Sequence, residues 1–227
     1  MQIDIKPSER VMIMGKTGSG KTEWERFMLR RIAQYMPVVI VDPKMFWLGD
    51  NPEWATGKSS GTIDHPRLVK WFNPKYWVQC VQPDEYDTSF EKFLKNILRN
   101  KYIYTCFDET DGLCTATMVP TGIRKVWKQG RVLKVGASAG SQTYSGIPRI
   151  FKSQAEKFVL FKVGDEDIED AAALLHCLPE EVANLGDFEW MYYDSASMDN
   201  GIWMPPIDLE EEKKIIQLQN RRRKNVA

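Results

Sequence analysis

The chain alternates short apolar, β-branched runs with stretches whose apolar residues recur at helical spacing. The runs predict strands at 11–15 (VMIMG), 38–42 (VVIVD), 76–82 (YWVQCVQ), 102–108 (YIYTCFD), 133–140 (LKVGASAG), 157–163 (KFVLFKV) and 188–194 (FEWMYYD). The central runs lack strict polar–apolar alternation, as strands covered on both faces do. The helical spacing predicts helices at 21–35, 88–100, 119–130, 165–176 and 179–185. Pro179 with Glu180 and Glu181 suits a first helical turn, where a missing amide hydrogen costs nothing and acids face the positive end of the dipole. Strands alternating with helices imply an α/β fold with a mostly parallel central sheet flanked by helices.

Two stretches break this rhythm. Residues 43–75 hold four prolines, three glycines and three tryptophans. They are too long for a simple connection and read as a functional excursion. Residues 208–227, DLEEEKKIIQLQNRRRKNVA, read as a charged helical tail with acid first and base last, matching the helix dipole. The expected organisation is one domain over 1–207 followed by that tail.

Composition narrows the class. A length of 227 residues suits one domain with a sizeable core. The 31 basic and 31 acidic residues cancel, so there is no global basic field, and any nucleic-acid contact must be a local patch. No apolar run approaches the length of a membrane span, and the N-terminus has no apolar signal core. A soluble protein of the cell interior is the expectation. Cys80, Cys106, Cys114 and Cys177 are scattered without a Cys-x-x-Cys pair, which argues against a disulfide framework. His176 and Cys177 are adjacent rather than at metal-ligand spacing and are expected within a helix.

The chemistry begins at residues 15–22, GKTGSGKT. The pattern Gly15-x-x-x-x-Gly20-Lys21-Thr22 follows an apolar strand and precedes a helical segment, the context a phosphate-binding loop requires. Gly15, Gly18 and Gly20 let the loop wrap around phosphate oxygens. Backbone N–H groups from Lys16, Thr17 and Ser19 onward, with the following helix N-terminus, supply the anion site. Lys21 is placed to reach the β- and γ-phosphates of ATP, and the Thr22 hydroxyl to bind Mg²⁺. A second apolar run ends in Asp108-Glu109. Asp108 suits the magnesium shell, and Glu109 suits a general base that polarises the attacking water. An acid directly after the metal-binding aspartate favours a hydrolase over a kinase. The GTPase pattern Asn-Lys-x-Asp is missing, for residues 100–103 read NKYI.

These residues carry a resemblance. GKTGSGKT, VVIVDPK, YTCFDE and KQGRVLKVGASAGSQTYSGIPRIFKSQAEKFVLFK together resemble the HerA–FtsK superfamily of DNA-pumping P-loop ATPases, over about residues 8–190. The short length is most similar to genome-packaging ATPases of tailless, internal-membrane double-stranded DNA viruses. The resemblance implies a RecA-type (ASCE) fold and a homo-oligomeric ring, a hexamer by analogy. It also implies ATP-driven translocation of double-stranded DNA into a capsid. Asp42-Pro43-Lys44 matches the family's Asp-Pro-Lys. Gln142 matches the sensor glutamine that ends the strand between the two Walker strands. Arg131 matches an arginine finger that reaches the neighbouring subunit's site, with Arg149 and Arg124 as competing candidates. The family often has Arg or Lys plus Pro after the glutamine, where this chain has Thr143-Tyr144. The alternatives are a virion-assembly or export ATPase of the zonula occludens toxin-like type, or a nucleotide or small-molecule kinase.

DNA has two candidate contacts. One is the segment after Glu109, rich in hydroxyls and then basic at Arg124, Lys125, Lys128 and Arg131; the other is the 43–75 excursion around Lys58. The tail's Arg221-Arg222-Arg223-Lys224 suits DNA, anionic lipid or a capsid protein. Capsid or viral membrane proteins are therefore further candidate partners.

Overall fold

A computed structural model of the chain describes residues 5–6, 8–32, 36–43, 78–81 and 88–208. Along the chain come β1 (Arg10–Met14), α1 (Lys21–Ile32), β2 (Val38–Val41), β3 (Val78–Val81), α2 (Thr88–Asn100) and β4 (Tyr104–Phe107). A 3₁₀ turn (Thr110–Gly112) leads to α3 (Thr121–Gln129), β5 (Gly136–Ser141), α4 (Arg149–Gln154) and β6 (Lys157–Phe161). A second 3₁₀ turn (Asp165–Asp167) precedes α5 (Ile168–Leu175), α6 (Pro179–Ala183), β7 (Trp190–Asp194) and β8 (Ile202–Met204).

The strands form one sheet in the order β3-β2-β4-β5-β1-β6-β7-β8. β1 to β6 run parallel, while β7 and β8 add antiparallel strands at one edge. The order puts β5 between β1 and β4, so the end of β5 lies between the phosphate loop and Asp108-Glu109. Register fixes this closely: Met14 pairs with Ser141, and Phe107 with Ala139.

Helices cover both faces. On one, α1 buries Trp24, Met28, Leu29 and Ile32 against Val11, Ile13, Ile40 and Tyr104. Trp24 meets Trp190 edge-on, with ring centroids 5.7 Å apart. On the other face α2 to α6 pack on Met12, Val39, Phe107, Ala137 and Leu160. There Trp127 of α3 and Phe151 of α4 make a second edge-on pair at 4.7 Å, so the two helices are locked side by side.

The structure corrects several predicted boundaries. The strand expected at 133–140 occupies Gly136–Ser141 instead. Val135 N–H bonds back to Gly130 O at 2.8 Å and Lys134 is left-handed (φ 57°), so the chain is still turning there. The strand expected from 102 starts at Tyr104, because Lys101 and Tyr102 also have positive φ. The helix expected over 165–176 is a 3₁₀ turn followed by α5. His176, expected inside the helix, instead ends it in a left-handed conformation (φ 53°) and sits 5.4 Å from the Tyr193 ring. β8 and α4 had no predicted counterpart. Among the described residues no helix is long and apolar enough to cross a membrane. The 43–75 excursion beyond Pro43, including Lys44 and Lys58, lies outside the described residues, as does the tail after Asp208.

Candidate nucleotide site

The loop between β1 and α1 is tied to the strands on either side. Gly15 N–H donates to Ser141 O of β5 (3.2 Å), and Lys16 N–H to Lys162 O just past β6 (2.8 Å). Gly15 has φ 153°, and a Cβ there would lie 2.6 Å from that of Phe161. At Gly20 (φ 107°) a Cβ would press on the Phe188 and Phe161 rings at 3.1 and 3.2 Å. Only glycine combines that backbone with that space. Thr17 and Gly18 stand exposed at the tip of the loop, whereas Ser19 is buried.

Lys21 opens α1, with Thr22 beside it. The Lys21 ammonium donates to Gly15 O and to Lys16 O (3.0 Å). Burial pulls its pKa below the usual lysine value, and the carboxylates of Glu25, Glu109, Asp108 and Asp111 pull the other way. Four acids therefore converge around one lysine.

Asp108 sits just past β4, nearly buried, with its N–H donating to Val41 O (3.0 Å). Against it lies Glu25, one turn into α1 and only 1% exposed. Burial, then the neighbouring Asp108, push the Glu25 carboxyl well above the usual range, and the two carboxyl groups are hydrogen-bonded. Sequence reasoning missed Glu25. Its one signal was a glutamate next to Trp24 and three and four residues before Met28 and Leu29, on the buried side of the helix.

Glu109 is left-handed (φ 48°, ψ 67°), a conformation that costs a non-glycine residue about 1–2 kcal/mol. Three side chains hold the turn in place. Thr110 Oγ1 donates to Gly140 O (2.8 Å). Asp111 accepts from Ser141 Oγ (2.8 Å) and from Gln142 N–H (2.9 Å). Gln142 Nε2 donates to Glu109 Oε1 (2.8 Å), and Gln142 Oε1 accepts from Thr17 Oγ1 (3.0 Å). Gln142 thus joins the phosphate loop to Glu109. The loop after it is pinned by Asp167, buried to 2% exposure, whose carboxylate accepts from the amides of Tyr144 (2.8 Å) and Ser145 (3.3 Å).

The structure brings Gly15 to Thr22, Asp108, Glu109 and Gln142 to one end of the sheet. Arg131 is not among them. It lies in the turn that leads from α3 into β5, at the opposite end of the sheet, and β5 itself spans about 16 Å at 3.3 Å per residue. Its side chain is 73% exposed and pairs with Glu156 at 3.1 Å. Asp42 is buried at the end of β2, and Pro43 packs near Gly112.

A threonine hydroxyl and a carboxylate are hard oxygen donors that fit Mg²⁺, which keeps waters and phosphate oxygens in its remaining positions. Among the described residues no group of three or more His, Cys, Asp or Glu side chains could hold a metal by itself. Thr22 and Asp108 fit the ion only in company with a nucleotide.

No protein-family model matches the sequence, and no curated protein does. The fold matches solved structures. The genome-packaging NTPase B204 of Sulfolobus turreted icosahedral virus 2, in complex with AMPPCP, superposes with TM-score 0.73 at 18% identity, over 89% of this chain and 99% of that one. The pCW3 conjugation coupling protein TcpA, with ATPγS, gives TM-score 0.62 at 14% identity, over 93% of this chain and 65% of that one. VirB4 of Thermoanaerobacter pseudethanolicus gives 0.59 at 10%, over 90% of each chain.

The chain has the RecA-type P-loop ATPase fold. These neighbours are consistent with the HerA–FtsK resemblance carried by the motifs, and at such identities the likeness is one of fold.

Proposed function

We propose that the protein is an ATPase that hydrolyses ATP with Mg²⁺ and translocates double-stranded DNA, packaging a viral genome into a capsid as a homo-oligomeric ring, a hexamer by analogy. The contact that carries this proposal is Gln142 spanning from Thr17 of the phosphate loop to Glu109. A kinase has no need of a carboxylate tied in this way beside the phosphate loop. The fold shared with the packaging NTPase B204 supports the genome-packaging part, and TcpA supports action on DNA through its role in conjugation.

The loop amides and Lys21 bind and orient the triphosphate. Mg²⁺, held by Thr22 and Asp108, would neutralise charge on the β- and γ-phosphate oxygens. Glu109 takes a proton from water as its oxygen bonds to the γ-phosphorus. The bond to the β–γ bridging oxygen breaks, and ADP leaves with the electron pair. Gln142, held by Thr17, orients Glu109 and senses the γ-phosphate. Arg131 acts on the neighbour's nucleotide, since its own loop lies at the far end of the sheet.

Glu109→Gln tests the chemistry. Hydrolysis should fall by about 10²–10⁴-fold while ATP binding survives. Persistent phosphoryl transfer to an acceptor would make the protein a kinase. Comparing ATPase rate with and without duplex DNA, alongside mass in solution, tests the motor. A monomer indifferent to DNA would overturn it.

A further inference from the structure

We infer that the cleft between α3 and α4 grips the phosphate backbone of duplex DNA, an inference that rests on the translocase function proposed above. The cleft encloses about 370 Å³ and is lined by Thr117, Arg124, Lys128, Arg149, Ser153 and Gln154, among others. Arg124 and Lys128 sit one turn apart on α3, and Arg149 faces them from the first residue of α4. All three are exposed, none forms an ion pair among the described residues, and no carboxylate lines the cleft.

The charge is local and one-sided. From Gly112 to Ala155 the chain has seven Lys or Arg and no acid, within a protein of zero net charge. Clustered cations repel one another unless an anion answers them. Guanidinium forks, hydroxyls and an amide are the donors that meet phosphate oxygens. The lining has no aromatic ring on which an unpaired base could stack, which favours the backbone of a duplex over a single strand.

The position suits a grip that responds to the nucleotide. One wall is the chain that follows Glu109, and the other is the chain that follows Gln142. Glu109 is hydrogen-bonded to Gln142, and Gln142 in turn to Thr17 of the phosphate loop. A change at the γ-phosphate therefore reaches both walls through covalently continuous segments.

An acidic block lies elsewhere in the chain. Residues 163–199 hold eleven acids and no Lys or Arg. In a head-to-tail ring this block of a second copy is the rival occupant, and the experiment separates the two.

The triple variant Arg124→Gln, Lys128→Gln, Arg149→Gln is titrated with a short labelled duplex at several salt concentrations, without nucleotide. Affinity should fall about tenfold or more, and the slope of log affinity against log salt should shrink by about 2.7 per engaged subunit, at about 0.9 per phosphate contact. The charge-keeping triple Arg124→Lys, Lys128→Arg, Arg149→Lys should retain most of the affinity. Arg149→Gln alone should lower the slope by about 0.9 and keeps the test valid if the triple variant does not fold. Unchanged affinity and slope in the Gln variants overturn the cleft and leave the translocase function standing; Arg124 or Arg149 acting only as a trans finger would give this result. Loss of assembled mass with duplex affinity intact assigns the cleft to the acidic block of a neighbour, and also overturns the inference. Failure of the unaltered protein to bind duplex overturns both the cleft and the translocase function.

Discussion

Gln142 and Glu109 meet through a 2.8 Å hydrogen bond although 33 residues separate them, and the same glutamine accepts from Thr17. Gln142→Ala removes both links and leaves the loop glycines and Lys21 in place. ATP turnover should drop about 10²-fold, the cost of a misplaced catalytic group, with ATP affinity nearly unchanged. Single-turnover rates beside equilibrium nucleotide binding measure the split.

Thr110→Val removes the hydroxyl that holds the Glu109 turn to Gly140 O and leaves that buried carbonyl without its partner. Stability should fall by about 1–3 kcal/mol in urea unfolding. The turnover number should fall with it, because the left-handed Glu109 loses a restraint. Thr110→Ser should restore both.

Arg131 makes a prediction about mixtures. Arg131→Ala and Lys21→Ala proteins should each be inactive alone. Mixed, they should recover part of the ATPase, since some interfaces pair an intact loop with an intact finger. If no mixture recovers activity, Arg131 does not act across an interface.

Gly122→Ala tests the packing of α2 on α3. A Cβ at Gly122 would lie 2.7 Å from Leu94 Cδ1 and 2.8 Å from Glu91 Oε2. Glu91 also accepts from the Gly122 N–H at 2.9 Å. Overpacking there should cost about 1–3 kcal/mol, read as a lower denaturation midpoint.

The pair Lys157–Asp194 sets a pH window. Burial alone would raise Asp194, but hydrogen bonds from Lys157, Ser197 and Ala196 hold its pKa below the ordinary 3.8. Burial alone would lower Lys157, but the Asp194 hydrogen bond holds it above the ordinary 10.5. The aspartate's contribution is complete above 3.8 and fades as pH falls through its lowered folded value. The lysine's contribution is complete below 10.5 and fades as pH rises through its raised one. Asp194→Asn should therefore cost about 3 kcal/mol at neutral pH and flatten the acid limb of the stability profile. Thermal melts from pH 2 to 7 check this.

Much of this site was legible in the sequence because its parts are short and contiguous. GKTGSGKT and Asp108-Glu109 each sit at the end of an apolar run, and a parallel sheet gathers such ends on one edge. Gln142 was legible only through family resemblance, and strand order then explained it, since β5 lies between β1 and β4. Glu25 was hidden because a buried glutamate on a helix looks like any helical glutamate until its neighbours are known. The left-handed Glu109 carries no compositional mark, for its conformation is imposed by side chains up to 33 residues away. β8 is only three residues long, and α4 only six, too short for periodicity to register.

The separation of bases and acids along this chain has a consequence for how the protein behaves in a tube. A net charge of zero suggests an indifferent particle, yet the basic block before β6 and the acidic block after it give the protein patches of opposite sign. In dilute buffer near pH 6.8, where the composition balances to zero charge, such patches attract their opposites on other copies. Fields reach about 30 Å at 0.01 M salt but only about 8 Å at physiological strength. The protein should therefore cloud as salt is dialysed away and clear when it is restored, the reverse of salting-out.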